Sequence, residues 1–388
     1  MHVSRPPAAG ADANGPSGPL PVILRIVSLL ILLYLFLFAI TLMGVSFKTF
    51  GKSFSEALIT GTTNPVIGLM IGLLATSLIQ SSSGTTSIVV GLVAADALTV
   101  QSAIPIIMGA NMGTTVTNTI VAMGSMGRRR EFQRAFAGAT MHDFFNLLTI
   151  LILFPLEQAT HYLERTASWL SGLLVGTEGV EFHSPVKAAT KPLAKVVSRL
   201  LEDDWSLAET AAGVIMLVLA LALLFFALAM LTRVMRQVVI SRAEGAFGRQ
   251  LQGHGLLAML LGVVVTVTVQ SSSITTSLLV PLVGAGIISL ETALPVTLGA
   301  NVGTTVTALL ASLTGNAAAV TVALVHLLFN LSGIAIFYPH RGMRRIPVRL
   351  AKGLAARTAV NKWFAVYYML GLFFVLPLAF VLVSRMFH

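Results

Sequence analysis

The sequence predicts an all-α polytopic membrane protein built from two inverted repeats, each with a re-entrant helical hairpin. The prediction depends on the hydropathy, on a duplicated set of motifs and on the positions of the basic clusters. The mean hydropathy is +0.87, and 55% of the residues are apolar while only 10% are charged. A soluble domain carries about 25% charged residues, so most of this surface is expected to face lipid.

The charge and cysteine content exclude several classes of protein. The formal net charge is +10, but the basic residues lie in short clusters between apolar segments, which indicates membrane topology rather than nucleic-acid binding. The chain has no cysteine, so disulfides and thiolate metal sites are excluded. We therefore expect membrane lipid around the chain, no nucleic-acid partner and no cofactor.

Apolar blocks of membrane-spanning length divide the chain. Residues 1–20, rich in Pro, Gly and Ala, are predicted to form a disordered tail. The predicted spans are Val22–Gly44, Val100–Met123, Phe132–Phe154, Leu207–Leu231, Ala293–Leu313, Ala317–Tyr338 and Trp363–Val383. A mixed-charge loop at 156–206 and a basic segment at 340–362 separate some of them, and residues 363–388 form the carboxyl-terminal transmembrane helix.

An internal repeat organises the layout. QSSSGTTS at 80–87 matches QSSSITTS at 270–277, and IPIIMGANMGTTVT at 104–117 matches LPVTLGANVGTTVT at 294–307. A third match pairs His142, Phe145 and Asn146 with His326, Phe329 and Asn330. These matches predict a first repeat at 21–155 and a second repeat at 207–339.

The basic clusters decide how the two QSSS motifs cross the membrane. Each motif interrupts an apolar block, at 65–95 and at 254–290, and basic clusters lie at 124–134, 233–253 and 340–362. If both blocks are re-entrant hairpins, all three clusters lie on one face of the membrane. The positive-inside rule then places the clusters and the amino terminus in the cytoplasm and the 156–206 loop outside.

This topology has a mechanistic consequence. Three full spans separate the two hairpins, and an odd number of spans inverts the second repeat relative to the first. Inverted repeats with broken elements near the bilayer midplane are typical of transporters that work by alternating access.

The two QSSS motifs place many uncharged polar groups inside apolar sequence. An irregular polar turn is tolerated at membrane depth only where protein or a water-filled cavity satisfies it. Phosphate binds to hydroxyl and N–H donors, while a hard cation binds to carbonyl and hydroxyl oxygens. The alternative is that these hydroxyls only bond to the preceding turn or pack helices closely.

Other residues inside the apolar blocks are weaker candidates. The repeated segments 109–115 and 299–305 combine small residues with Asn111 and Asn301, and could break a helix and expose carbonyl groups. Ionisable side chains within the membrane are functional candidates by default, which applies to His142 and Asp143. The alternative for His142 and His326 is that they are buried hydrogen-bonding residues.

At these residues the sequence resembles the type II sodium–phosphate cotransporters. The resemblance extends over roughly residues 20–385. It is carried by the duplicated QSSS, by AIPIIMGANMGTTVTNTIVAM at 103–123, by EFQRAFAGATMHDFFN at 131–146 and by PLEQATHYLE at 155–164. The resemblance implies a scaffold domain, a transport domain that contains both hairpins, and inorganic phosphate and sodium as the transported ions.

The resemblance also implies site residues. The expected phosphate-binding residues are Gln80, Ser81, Ser82, Ser83, Gln270, Ser271, Ser272 and Ser273, with Asn111 and Asn301 as further candidates. The expected sodium ligands are Gln270, Ser271, Thr304 and Thr307, with Ser83 and Thr114 opposite them.

A third sodium site in electrogenic members of the family maps onto Thr119, Ser125, Arg128 and Asn146. Those members carry Asp where this chain has Arg128, and Gln where it has Ser125. Because a guanidinium has no acceptor for a cation, we expect transport to be electroneutral. The cysteine pair of the animal outer loop is also missing, which favours a bacterial inner-membrane protein.

Three functions are therefore compared. The first is a sodium-coupled phosphate symporter, and the second is a carrier of the same fold for sulfate or a carboxylate. The third is a membrane-embedded serine hydrolase, which would need a base such as His142 or His326 beside a serine. A homodimer is left open.

Overall fold

A computed structural model describes residues 19–175, 184–246 and 254–386. The predicted disordered tail lies outside these residues except for its last two positions, which already belong to the first helix. The described residues are nearly all helical and include no strand, which confirms the all-α class. In chain order the helices are α1 Pro19–Thr49, α2 Gly51–Gly61, α3 Pro65–Ile79, α4 Ser82–Ala94, α5 Val100–Gly113, α6 Val116–Met123, α7 Arg129–Thr160, α8 Tyr162–Val175, α9 Pro185–Arg199, α10 Glu209–Ala246, α11 Gly255–Val269, α12 Ser272–Ala285, α13 Leu290–Ser312, α14 Ala317–Phe337, α15 Arg341–Val360, α16 Trp363–Leu370 and α17 Leu376–Met386.

Six of the described helical segments are long and apolar enough to span a membrane, which confirms a multi-pass membrane protein. They are Ile23–Thr49, Arg129–Thr160, Glu209–Met235, Leu290–Ser312, Ala317–Phe337 and Trp363–Ser384. A π-helical turn at Gly371–Val375 joins α16 to α17 within the last of them. A seventh candidate is the pair Ser53–Gly61 and Pro65–Ile79, which meet at an angle of 98°.

Several elements differ from the expected boundaries. The predicted span at 100–123 is broken between α5 and α6, whereas the matching α13 is continuous. The 156–206 loop contains α8 and α9, and α7 extends to Thr160 before His161 adopts a left-handed conformation. Glu157 then accepts hydrogen bonds from the N–H groups of Leu163 and Glu164, which fixes the start of α8.

Each QSSS motif ends one helix and begins the next. Gln80 and Gln270 both adopt the left-handed conformation with φ of 57°, which is a common way to terminate a helix. Ser81 accepts a hydrogen bond from the N–H of Gly84, and Ser271 accepts one from Ile274. Both serines are therefore N-caps, and the polar run makes a helix–turn–helix twice.

Close contact between small residues shows that α3 and α5 run parallel. A Cβ atom on Gly68 would lie 3.3 Å from Cβ of Pro105, and one on Gly113 would lie 2.7 Å from Cβ of Thr76. Residue numbers therefore increase together along both helices. Since α5 starts beside the start of α3, the intervening α4 must run back, so the first block is a hairpin.

The second block repeats this arrangement. A Cβ atom on Gly262 would overlap the carbonyl oxygen of Val296, and one on Gly303 would lie 2.7 Å from Cβ of Thr266. The helices α11 and α13 are thus parallel and α12 returns between them. Small residues allow such close helix packing in a membrane.

The repeats are inverted, as the directions of α7 and α14 show. These helices carry the matching His-x-x-Phe-Asn motifs. A Cβ atom on Gly333 would lie 2.7 Å from Thr149, and the rings of Phe337 and Phe145 have centroids 5.9 Å apart. Moving forward along α14 therefore means moving backward along α7, so equivalent helices point in opposite directions.

Candidate functional site

The tips of the two hairpins meet. The Ser83 hydroxyl at the start of α4 donates a hydrogen bond to the carbonyl oxygen of Gln270, at 3.3 Å. The serines that follow each tip are buried, namely Ser82, Ser83, Ser272 and Ser273. Ser81 and Ser271 are half-buried, and Gln80 is exposed. The two QSSS motifs, 187 residues apart at this contact, therefore form one polar region.

Gln270 is the residue that connects the second tip to α13. Its Oε1 atom accepts a hydrogen bond from the Thr307 hydroxyl at 2.7 Å, and its Nε2 atom donates to the carbonyl oxygen of Val267 at 2.7 Å. Gln270 thus presents its backbone carbonyl to the first hairpin and its side-chain oxygen to α13. Carbonyl and hydroxyl oxygens in this arrangement are the ligand type that a hard cation prefers.

The other expected sodium ligands differ in how directly they are connected to the contact between Ser83 and Gln270. Ser271 follows Gln270 directly and uses its hydroxyl as an N-cap. Thr304 lies one turn before Thr307 on α13, with its hydroxyl bonded to the carbonyl of Ala300 at 3.1 Å. Thr114 bonds in the same way to Ala110, and it makes no hydrogen bond to the other ligands among the described residues.

The first hairpin has an equivalent polar position that sequence reasoning missed. Thr117 matches Thr307 at the repeat offset of 190 residues. Its hydroxyl is buried and has no hydrogen-bond partner among the described residues, whereas Thr307 bonds to Gln270. The equivalent glutamine, Gln80, is exposed. The repeat offset alone would have identified Thr117, and the difference shows that the two hairpins are not in equivalent surroundings.

Asn111 and Asn301 take part in a buried cluster of four asparagines. Asn301 Nδ2 donates to Asn146 Oδ1 at 3.1 Å, and Asn146 Nδ2 donates to the Asn111 carbonyl at 2.9 Å. Asn330 Nδ2 donates to Asn111 Oδ1 at 3.3 Å. Because their amides bond to one another, these residues join the two repeats where α5, α7, α13 and α14 meet.

Two residues of the expected third sodium site, Arg128 and Asn146, lie far apart. Arg128 is 73% exposed and its guanidinium lies 2.8 Å from Glu131, which also accepts from Ser125 at 3.4 Å. Asn146 lies further along α7, about 25 Å away at 1.5 Å per residue. Thr119 is buried, and its hydroxyl has no partner among the described residues.

A buried carboxylate lies closer to the asparagine cluster. Asp143 is 1% exposed and lies one turn before Asn146 on α7. Its Oδ2 atom accepts a hydrogen bond from the Tyr368 hydroxyl at 2.8 Å, and its Oδ1 atom has no partner among the described residues. The ionised form of a carboxyl group buried in this way needs compensation, which a bound cation would supply.

The buried histidines do not activate the serines. His142 and His326 are both fully buried, and their ring nitrogens have no hydrogen-bond partner among the described residues. A serine nucleophile would need a hydrogen bond to such a base. The described geometry therefore gives no support to a serine hydrolase.

Comparison with known proteins decides the family. A family model described as Na+/Pi-cotransporter matches residues 35–180 and 223–375, which is well over half of the chain. The chain belongs to the Na+/Pi-cotransporter family. The first matched stretch of this Na+/Pi-cotransporter family member contains the tip of the first hairpin, and the second stretch contains the tip of the second.

Curated relatives agree with this assignment. Sodium-dependent phosphate transport protein 2B of Homo sapiens is 36% identical over 91% of this chain and 64% of the relative. The same protein of Pongo abelii has the same values. Sodium-dependent phosphate transport protein 2A of Ovis aries is 37% identical over 92% of this chain and 67% of the relative. The chain thus spans somewhat under two thirds of the length of the 2B relatives, and no solved structure matches it.

Proposed function

We propose that this protein is a sodium-coupled symporter that imports inorganic phosphate across a cell membrane. The relatives are named as sodium-dependent phosphate transport proteins, and the hairpin contact supports the same function for this chain. The single observation that carries the proposal is the meeting of Ser83 with Gln270. One polar region then supplies hydroxyl donors for an oxyanion and oxygen ligands for sodium.

In this proposal the serines of both tips bind phosphate, and Gln270, Ser271, Thr304 and Thr307 hold sodium with Ser83 and Thr114 opposite. Phosphate and sodium are bound in one region, so each ion reduces the electrostatic cost of burying the other. The two ions are coupled in this arrangement, because either ion bound without the other would leave its charge buried and uncompensated.

Alternating access is the proposed mechanism. A cavity of about 280 Å³ lies between the helices α1 and α10 and the second tip. Its lining includes Leu33 and Phe36 from α1, Leu228 from α10, and Gln270 and Thr307 from the site. In this proposal α1 and α10 belong to the scaffold, and the cavity leaves room for the hairpin to move against them once the hydrogen bond from the Thr232 hydroxyl to the Val269 carbonyl oxygen is broken.

The orientation proposed for the chain places the basic clusters and the amino terminus in the cytoplasm. The helix α7 begins at Arg129 and α14 ends at Phe337, and each of these ends adjoins a basic cluster. Because the two helices are antiparallel, these two ends lie on the same side of the membrane. A cysteine-free chain of this kind fits a bacterial inner membrane.

We propose a cycle that moves net charge rather than the electroneutral cycle expected from the sequence. Arg128 is exposed and paired with Glu131, so it does not repel a cation beside Asn146. Asp143 instead supplies a buried carboxylate one turn from Asn146. We therefore propose that a third sodium ion binds near Asp143 and that the cycle moves net positive charge inward.

Uptake of radiolabelled phosphate into proteoliposomes tests the function. We expect uptake that requires an inward sodium gradient, that sulfate and carboxylates do not inhibit, and that Gln270→Ala abolishes. Thr268→Ala, two residues away and bonded only to the carbonyl of Val264, serves as the matched control with normal uptake. Inhibition by sulfate or a carboxylate at equal concentration would favour another anion, and normal uptake by Gln270→Ala would remove the hairpin tip from the mechanism.

A further inference from the structure

The helix α15 has a buried face and a basic face, as the arrangement of its residues at 100° per residue shows. One face is buried in the fold, near α7, and consists of Pro347, Val348, Ala351, Ala355 and Thr358. A second face is exposed and basic, and consists of Arg341, Arg345, Arg349 and Lys352. Leu350, which is 41% exposed, lies on the opposite side of the helix from the basic face, beside the exposed Arg357. A basic face with an exposed apolar side chain opposite it is the pattern of a helix that lies in a membrane interface.

The depth of α15 follows from the asparagine cluster. The cluster contains two pairs of equivalent residues from inverted repeats, so the axis that relates the repeats passes through it and marks mid-height. Glu291 precedes Asn301 by ten residues on α13, which is about 15 Å. Phe337, the last residue of α14, follows Asn330 by seven residues, which is about 10 Å. Three non-helical residues then lead to Arg341, so α15 begins between about 10 and 20 Å from mid-height.

The middle of α15 lies within the same range of depths as its start. Lys352 bonds to Glu291 at 2.9 Å, so both positions are about 15 Å from mid-height. The hydrocarbon core of a bilayer is about 30 Å thick. The helix therefore lies in the plane of the membrane, at the boundary between hydrocarbon and headgroups.

A pocket with two arginines opens at this boundary. It has a volume of about 270 Å³, and its lining includes Arg344, Arg345, Tyr338, Thr292 and Gly255. The Arg344 guanidinium lies over the Tyr338 ring, 5.2 Å from its centroid, which holds it beside the pocket. Glu291 also lines the pocket but is bonded to Lys352, so the pocket keeps two guanidinium groups as donors.

We propose that this pocket binds the phosphate headgroup of an anionic phospholipid from the leaflet on the side of the basic clusters. The two guanidinium groups donate hydrogen bonds to the phosphate oxygens. The acyl chains extend toward the hydrocarbon core beside Leu350, on the side of α15 opposite the basic face. Zwitterionic phospholipid binds more weakly because its headgroup carries no net negative charge.

Lipid titration followed by native mass spectrometry tests this proposal on the full-length protein in nonionic detergent. The probes are phosphatidylglycerol and phosphatidylcholine with matched acyl chains. We expect wild type to prefer phosphatidylglycerol, and Arg344→Gln with Arg345→Gln to weaken its binding about 25-fold, or about five-fold per arginine. Arg344→Lys with Arg345→Lys keeps the charge and should keep the preference, which separates the loss of charge from misfolding.

The matched control is Arg129→Gln with Arg130→Gln. These exposed arginines lie in the first turn of α7, on the same side and outside the pocket, and the change in charge is the same. We expect this variant to bind phosphatidylglycerol as wild type does. An equal loss in the control would show diffuse attraction rather than a pocket, and displacement of the lipid by excess inorganic phosphate would show a small-anion site. Either result, or equal binding of the two lipids by wild type, would overturn the proposal.

Discussion

Asn301 donates a hydrogen bond to Asn146 at 3.1 Å, and this contact joins the two inverted repeats at their centre. Asn301 belongs to α13 of the second repeat and Asn146 to α7 of the first. Both residues are buried, so neither can exchange its partner for water. The asparagine cluster therefore fixes how the helices behind the hairpin tips cross.

Removing one member of this contact should destabilise the protein. We expect Asn301→Ala to lower the free energy of unfolding by about 1–3 kcal/mol, because it leaves the Asn146 Oδ1 atom buried without its donor. Thermal unfolding in detergent measures the change. Gln158→Ala, an exposed position on α7, is the control and should unfold as wild type does; equal stability of the two variants would contradict a structural role for the cluster.

Thr307→Val should weaken sodium binding while leaving the fold intact. The substitution preserves the shape of the side chain but removes the hydroxyl that bonds to Gln270. We expect about ten-fold more sodium for half-maximal phosphate uptake, which corresponds to the loss of one polar contact of ~1.4 kcal/mol. Thr321→Val on α14, whose hydroxyl bonds to the carbonyl of Ala317, is the matched control. An unchanged sodium requirement in Thr307→Val would exclude this hydroxyl as a ligand.

Asp143→Asn should reduce the charge that moves with each phosphate. The variant keeps the size of the side chain and the acceptor for Tyr368 but removes the negative charge that would hold a third sodium ion. We expect wild-type proteoliposomes to show inward current on addition of phosphate, and the variant to show little current relative to its uptake. Phosphate uptake without current in wild type would contradict the proposal that a third sodium ion binds.

The orientation of the chain can be checked by labelling single cysteines, since the sequence contains none of its own. We expect Arg128→Cys and Arg345→Cys to react with an impermeant reagent only from the cytoplasm, and Lys191→Cys on α9 only from outside. These positions are exposed. Labelling of position 345 from outside would contradict the inverted arrangement in the membrane.

The sequence by itself determined the repeat, the hairpins and the class of protein, because these depend on local order. A glutamine that adopts a left-handed turn, followed by a serine that caps the next helix, ends and restarts a helix without help from distant residues. Hydropathy and basic clusters are likewise properties of consecutive residues, so the spans and their orientation could be predicted from the sequence.

Only the tertiary structure decided which polar groups share a site. Asn146, which the family resemblance assigns to a third sodium site, bonds to Asn111 and Asn301 from two other helices, and Arg128 lies exposed beside Glu131. Asp143 was a candidate from the sequence as an ionisable residue within a span, but only the structure shows its burial and its hydrogen bond from Tyr368. Contacts between segments more than a hundred residues apart depend on helix crossing and burial, and a linear pattern contains neither.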